Sequence, residues 1–437
     1  MNKISSIVLT LLVFLQLPTM AQDTVVISRS TLLGMLEDQN VQLKIAEKAY
    51  ESARADYRQS NALFLPNITA SHTAITTTNP LMAFGSKLNQ EILTQNDFNP
   101  ALLNDPSRIN NFATILEAQM PLINVDGYYQ RSAAKSTMES FGLQTERTKE
   151  YLELELSKSY MQLQLAYRAV DVLKQANETA AQNLKLVKNY FDNGMLQKTD
   201  VLDVEVRVNE LKNQLQYAKS NVRNASDYIA FLTDMDGTNV VLKPSDNFQS
   251  NVETLHIAAS LPIERKDIKA MDMATQAYQK MYQSNKLNFL PRLNAFGNYQ
   301  LYDNKLFGTS ADGYLIGVQL SWNLFAGYKN IGKMQKARAD YHKAEAESYQ
   351  YMQKSQLELN KTKRQLIDAK NKMDLSQMAL DQAKESYRIR KNRFEQGLEK
   401  TSDLLMAETV LSKKELEYLQ AIFEYNFTQK YLEFLTK

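Results

Sequence analysis

The segment NYFDNGMLQKTDVLDVE, from Asn189 to Glu205, returns as NRFEQGLEKTSDLLMAE, from Asn392 to Glu408, at an offset of 203 residues. Both read Asn-x-Phe-x-x-Gly, with an aspartate six residues after the glycine, a leucine two further on and a glutamate three beyond that. Two other landmarks repeat in the same order. Phe64, Leu65 and Pro66 recur as Phe289, Leu290 and Pro291 at an offset of 225, and Gln119, Gly127 and Tyr128 recur as Gln319, Gly327 and Tyr328 at an offset of 200. Three ordered matches define two copies of one supersecondary unit, so any fold must be built twice from the same parts. The shrinking offset places an insertion of 25 residues in the first copy, within residues 77–111, where Pro80, Pro100, Pro106 and many asparagines indicate an external loop.

Helix breakers are missing over long distances. No proline occurs between Pro121 and Pro244, no glycine between Gly142 and Gly194, and neither between Gly332 and Gly397. A helix over residues 128–191 would rise about 96 Å at 1.5 Å per residue, which calls for a coiled-coil or tubular arrangement. In the second copy Met352, Leu359, Leu366, Met373, Leu380, Tyr387 and Phe394 fall every seven residues. The first copy follows with Leu156, Leu163, Val170, Leu184 and Phe191, interrupted at Asn177. Such a heptad imposes left-handed supercoiling. Ser355, Thr362, Ala369, Ser376 and Ala383 are small residues suited to close helix approach. After the first glycine motif Val201, Val204, Val208, Leu211, Leu215, Ala218, Val222, Ala225, Ile229 and Leu232 alternate spacings of three and four. The glycine therefore ends one helix, and a second returns antiparallel to it.

The segments before each long helix have period two instead. Ile316, Val318, Leu320, Trp322 and Leu324 alternate with Gly317, Gln319, Ser321 and Asn323, and Leu116, Ala118, Met120 and Leu122 alternate with Glu117 and Gln119. Residues 67–76 and 292–302 supply partner strands for two hairpins. Strands of about ten residues with one apolar and one polar face suit a transmembrane barrel, although a half-buried soluble sheet gives the same alternation. Four strands cannot close a barrel, and open edges are not tolerated in lipid, so a membrane role requires several copies. Two copies would give an interior filled by side chains; three would leave room for solutes.

Lys3, the apolar run over residues 7–17 and the small residues Thr19 and Ala21 around Met20 predict a secretory signal over residues 1–21. No later stretch is apolar enough for a transmembrane helix, which leaves β-strands for any membrane role. The absence of cysteine removes disulfides, thiolate metal sites and a lipidated cysteine. With 51 basic and 49 acidic residues and no basic cluster, nucleic acid is not an expected partner. The histidines, His72, His256 and His342, are far apart, and no catalytic, cofactor-binding or metal motif occurs. Seventeen methionines raise soft-metal export, but Met352 and Met373 fall on the heptad, where they read as core.

Phe191, Gly194, Asp200 and Leu202, their counterparts Phe394, Gly397, Asp403 and Leu405, and the stretch QLSWNLFAG over residues 319–327 resemble the TolC family of outer-membrane efflux proteins. The resemblance covers nearly all of the chain after the signal. It implies a mainly α fold with a transmembrane β part: a duplicated helix-strand-strand-helix-helix unit forming a trimeric 12-stranded β-barrel continued by a 12-helix α-barrel. The first repeat would span residues 22–235, with strands near 67–76 and 113–124 and a helical hairpin over about 128–235. An equatorial linker would follow over 236–262. The second repeat, 263–437, would have strands near 292–302 and 314–324 and a hairpin over about 328–435. The resemblance further implies a homotrimer in the outer membrane of a Gram-negative bacterium, mostly periplasmic, that works with a periplasmic adaptor protein and an inner-membrane transporter to export small molecules, with no cofactor and no enzymatic step. The adaptor-docking turns carry over to Gly194, Met195, Gly397 and Leu398, and a candidate entrance gate to Asp200 and Asp403. Two features depart from the pattern. No N-terminal cysteine is present, and the second acidic position, Asp203 in the first copy, is Met406 in the second. A secreted coiled-coil protein without a pore, or a duct for protein secretion, are the competing expectations.

Overall fold

In the computed structural model the described residues are 23–236, 240–249 and 261–437. The expected signal over residues 1–21, His256 and much of the expected linker lie outside them. The chain divides into two compact units, one drawn from residues 1–47, 145–265 and 352–437 and the other from 48–144 and 266–351.

Four long helices dominate: α5 (Val125–Asp192), α6 (Lys198–Leu232), α8 (Lys329–Glu395) and α9 (Thr401–Thr436). Shorter ones precede the strands: α1 (Arg29–Gln39), α2 (Val41–Gln59) and α7 (Lys266–Leu287). The Phe-Leu-Pro landmarks fall between α2 and strand β2 (Asn67–Thr77), and between α7 and strand β5 (Arg292–Asp303). Proline there forbids continuation of the helix and biases the residue before it towards an extended backbone. Strands β3 (Ile109–Ile123) and β6 (Ala311–Ser321) complete the hairpins.

In the first unit the periodic residues form the core. Leu156, Leu163, Leu359, Leu366, Met373 and Leu380 are buried, as are Val204, Leu211 and Ile229 along α6. One cluster joins Leu152, Leu156 and Leu163 of α5 to Val222 and Ile229 of α6 and to Leu32 and Leu36 of α1. The short strand β1 (Asp23–Ile27) pairs in parallel with β4 (Val240–Pro244), inside the expected linker. Two heptad positions differ from expectation. Met352 is only partly covered, and Phe191 is 39% exposed whereas its repeat partner Phe394 is 2% exposed. The heptad fixes one face of a helix, but which turns of that face meet a neighbour depends on the neighbour.

The second unit holds a four-stranded antiparallel sheet in the order β2-β3-β5-β6. Its two hairpins are joined through β3 and β5, with Leu116 opposite Tyr299 and Ala118 opposite Gly297. Strand β6 stops at Ser321, so Trp322 and Leu324, which continue the alternation in sequence, lie past the ladder. The Trp322 indole N–H donates instead to the Phe289 carbonyl at 2.9 Å. The insertion is ordered, with α3 (Pro80–Asn89) and α4 (Pro100–Asn104). A Lys87–Asp97 ion pair at 2.6 Å and the Asp97 carboxylate accepting from the Thr94 N–H at 2.7 Å tie it together.

The repeated Gly-Tyr landmark folds differently in the two copies. The N–H of Gly127 is capped by the Asn124 side chain at 3.1 Å, and a Cβ at Gly127 would lie 2.5 Å from that side chain. Gly327 instead has φ +58 in a turn ahead of α8, so the two glycines meet unrelated local constraints.

Candidate functional site

Two places carry the function expected of this chain, one in each unit. The first is the sheet. Alternation and register put Ile68, Ala70, Leu116, Ala118, Met120, Leu293, Ala295, Ile316, Val318 and Leu320 on one face, and Thr69, Ser71, Thr73, Glu117, Gln119, Asn294, Asn298, Gln300 and Gln319 on the other. Ile68, Leu116, Met120, Ile316, Val318 and Leu320 all stand exposed. Ile115, Phe296 and Leu315 share the second face, and His72, Thr114 and Asp312 share the first towards the loop end. Elsewhere an exposed apolar face opposite a mainly polar one is the pattern of a strand set with lipid on one side and water on the other. The ladder leaves β2 and β6 at the edges. On the polar face the Phe296 ring lies over Gly317, where an added Cβ would come within 2.7 Å of it.

The second place is the pair of interhelical turns. Gly194 has φ +73 and Gly397 φ +70, the left-handed region. Around the first, the N–H of Gly194 donates to the Phe191 carbonyl and that of Met195 to the Tyr190 carbonyl, both at 2.8 Å. Around the second, the N–H of Gly397 donates to the Phe394 carbonyl and that of Leu398 to the Arg393 carbonyl, both at 2.9 Å. This paired closure satisfies carbonyls at the helix end and requires a residue that tolerates positive φ. Met195 and Leu398, next in line, present their side chains to solvent.

Asp200 and Asp403 occupy the same position in the first turn of α6 and α9. Their environments differ. The Asp200 carboxylate accepts from the backbone N–H of Gln197 at 3.0 Å, whereas no such bond joins Asp403 to Lys400. Asp200 is therefore engaged as a helix cap, and the Asp403 carboxylate is left available. Asp203 is exposed, like Met406 at the matching position.

The two hairpins share a core close to these turns. Val187, Val201 and Val204 pack with Phe394 and Leu404. The Tyr190 hydroxyl donates to the Glu395 carbonyl at 3.0 Å, and Glu399 accepts from both Arg390 and Arg393 at 2.8 Å.

Farther from the turns is a group that sequence reasoning did not single out. Glu408 is buried, accepts from the Asn183 side-chain amide at 2.7 Å and lies 3.7 Å from the Arg207 guanidinium. Burial pushes its carboxyl above the ordinary value; the bond from Asn183 and the Arg207 charge oppose that only in part. Its repeat counterpart Glu205 sits at the surface, paired with Lys188 at 2.7 Å. The only sequence signal was the glutamate closing each copy of the motif, which reads equally well as a solvated position.

Among the described residues no cluster of His, Cys, Asp and Glu could hold a metal ion. His72 bonds Thr114 at 2.8 Å on the sheet, and His342 pairs with Glu345 on a helix surface.

Known proteins carry the same architecture. The structure of the Campylobacter jejuni CmeC outer membrane channel superposes with a TM-score of 0.82 at 16% identity, covering 93% of this chain and 85% of that one. For the Vibrio cholerae outer membrane protein VceC the TM-score is 0.79 at 15% identity, covering 93% and 96%. The open state of the Neisseria gonorrhoeae MtrE outer membrane channel gives 0.77 at 14% identity, covering 93% and 88%. At such identities the likeness establishes the fold. A comparison with curated protein sequences finds no match. The family profile described as outer membrane efflux protein matches residues 32–233 and 260–434, both copies of the duplicated unit. This chain belongs to the outer membrane efflux protein family.

Proposed function

We propose that three copies of this chain close a twelve-stranded barrel in the outer membrane and continue it as a helical tunnel in the periplasm, through which small molecules delivered by an inner-membrane transporter reach the exterior. The observation that carries this reading is the sheet: four strands with opposite faces apolar and polar, and with both edges free to pair. In hydrocarbon an unpaired strand edge costs several kcal/mol per group, so β6 of one copy must meet β2 of the next. Twelve strands enclose a wide lumen, and the polar residues Glu117, Gln119, Asn298 and Gln319 suit its wet wall.

In the same reading the turns at Gly194 and Gly397 lie at the periplasmic tip, where exposed Met195 and Leu398 offer an apolar contact to an adaptor protein. Asp200 and Asp403 stand one helical turn further in. Asp403, lacking the capping bond of its counterpart, is the better candidate for an acidic entrance ring.

The deciding experiment pairs mass measurement of the detergent-solubilised protein with planar-bilayer recording. The expected outcome is a particle of three chains that conducts ions. A monomer or dimer as the conducting species would overturn the proposal.

A further inference from the structure

The insertion in the first repeat does not stand away from the sheet. Helix α3 lies against the polar face of β3, at the end of the strands opposite to the one joined to the helices. The Gln90 side-chain amide, just past α3, donates to the Asn111 side chain at 2.8 Å and to the Asn110 carbonyl at 2.9 Å. Ala83, Ser86 and Gln90 are buried on one side of α3. Burial alternates to match along β3: Ile109, Asn111 and Ala113 are buried, whereas Asn110 is exposed and Phe112 and Thr114 are half-buried. Ile109, Asn111 and Ala113 share their face with Glu117 and Gln119. The other loop at this end, between β5 and β6, turns to the opposite face, where Phe307 stacks on His72 with ring centroids 4.4 Å apart.

The side of α3 turned away from the sheet is apolar and bare. Leu81 is 82% exposed and Leu88 is 56% exposed, with Gly85 between them at helical spacing and nothing within 4 Å of where its Cβ would be. The helix begins three residues after β2, an edge strand that the trimeric reading pairs with a neighbouring copy.

We infer that α3 folds into the outer mouth of the barrel and that its Leu81–Gly85–Leu88 stripe packs against the same stripe of the two other copies, narrowing the exit to a gated constriction. This rests on the trimeric barrel proposed above. If the polar face lines the lumen, a helix packed on that face is inside the mouth. Its bare side then points towards the threefold axis, where the surfaces of matching apolar shape are its own symmetry mates. The missing side chain at Gly85 permits close approach of the three helices.

The chain has no cysteine, which makes thiol cross-linking clean. Leu88→Cys, in outer membranes, is expected to give a cross-linked pair of chains on oxidation or with a short bismaleimide, since three thiols at one axis leave one unpaired. Conductance should fall on cross-linking and recover when a disulfide is reduced. The double variant Leu81→Ser/Leu88→Ser, still trimeric, should raise single-channel conductance several-fold or lengthen open times. A conducting trimer in which Leu88→Cys cross-links by neither route and the serine variant conducts like the parent overturns this inference and leaves the channel reading standing. A chain that forms no trimer at all overturns the channel reading, and this inference with it.

Discussion

At the scale of residues, the duplication produced pairs of identical side chains that the folded chain then used differently. Asp200 and Asp403 are one such pair. Removing the capping acceptor, Asp200→Ala is expected to lower stability by about 1 kcal/mol, with little effect on ion selectivity. Asp403→Asn should do the reverse, reducing cation selectivity and divalent block in planar bilayers at unchanged melting temperature; equal behaviour of the two variants would mean that both only cap. Glu205 and Glu408 are another pair. Because burial raises the folded-state pKa of Glu408 above the ordinary 4.5, its contribution to stability is fully present below about that pH and is lost as pH rises through the folded value. Glu408→Gln keeps a group able to meet Asn183 and carries no ionisation cost. Its melting temperature relative to the parent should therefore rise as pH is raised from 4.5 towards 8, and a difference independent of pH would contradict the assignment.

At the scale of elements, the turns between long helices depend on one backbone conformation each. Gly397 at φ +70 lies where a β-branched side chain is strained by about 1–3 kcal/mol. Gly397→Val is expected to distort the turn at Leu398 and weaken binding of the proposed adaptor at least tenfold in a pull-down or surface-binding titration, while the trimer still forms, because the strands proposed to close the barrel belong to the other unit. Parallel loss of trimer and binding would instead give the glycine a folding role alone. The same argument does not extend to Gly127, whose constraint is the Asn124 cap and not its φ.

At the scale of the whole molecule, the proposed barrel sets one face of the sheet against lipid and the other against the lumen, and adjacent residues on one strand test it. Val318 and Gln319 are neighbours on β6 with opposite faces. Val318→Arg puts a charge where lipid is proposed and should cost about 2–4 kcal/mol near the bilayer midplane, lowering the yield of heat-resistant trimer from outer membranes. Gln319→Arg should assemble normally and shift selectivity away from cations. Equal tolerance of both would mean that the sheet is not embedded in lipid.

Patterns with a period were legible in the sequence, because a period of seven or of two is the projection of a helix or strand onto one buried or one lipid-facing side. The duplication, the strand pair followed by a long helix and its antiparallel return, the turn glycines and the alternating faces of β3 and β6 followed from spacing alone, whereas the helix ahead of each strand pair came from the family resemblance. What spacing cannot encode is which neighbour arrives at a given turn of a helix. Phe191 and Phe394 occupy the same place in the same motif, yet only Phe394 is enclosed by Val187, Val201, Val204 and Leu404. Glu408 is buried beside Asn183 and Arg207 while Glu205 meets a surface lysine. The insertion was readable as a loop from its prolines and asparagines, but its packing through Gln90 and Asn111 onto the polar face needed the tertiary structure. The sequence by itself determined the elements, their order and their two-faced character, since these depend on residues close along the chain. Only the tertiary structure decided which of two identical side chains caps, ion-pairs or packs, because that depends on contacts between segments some 200 residues apart, such as Asn183 with Glu408 at a separation of 225.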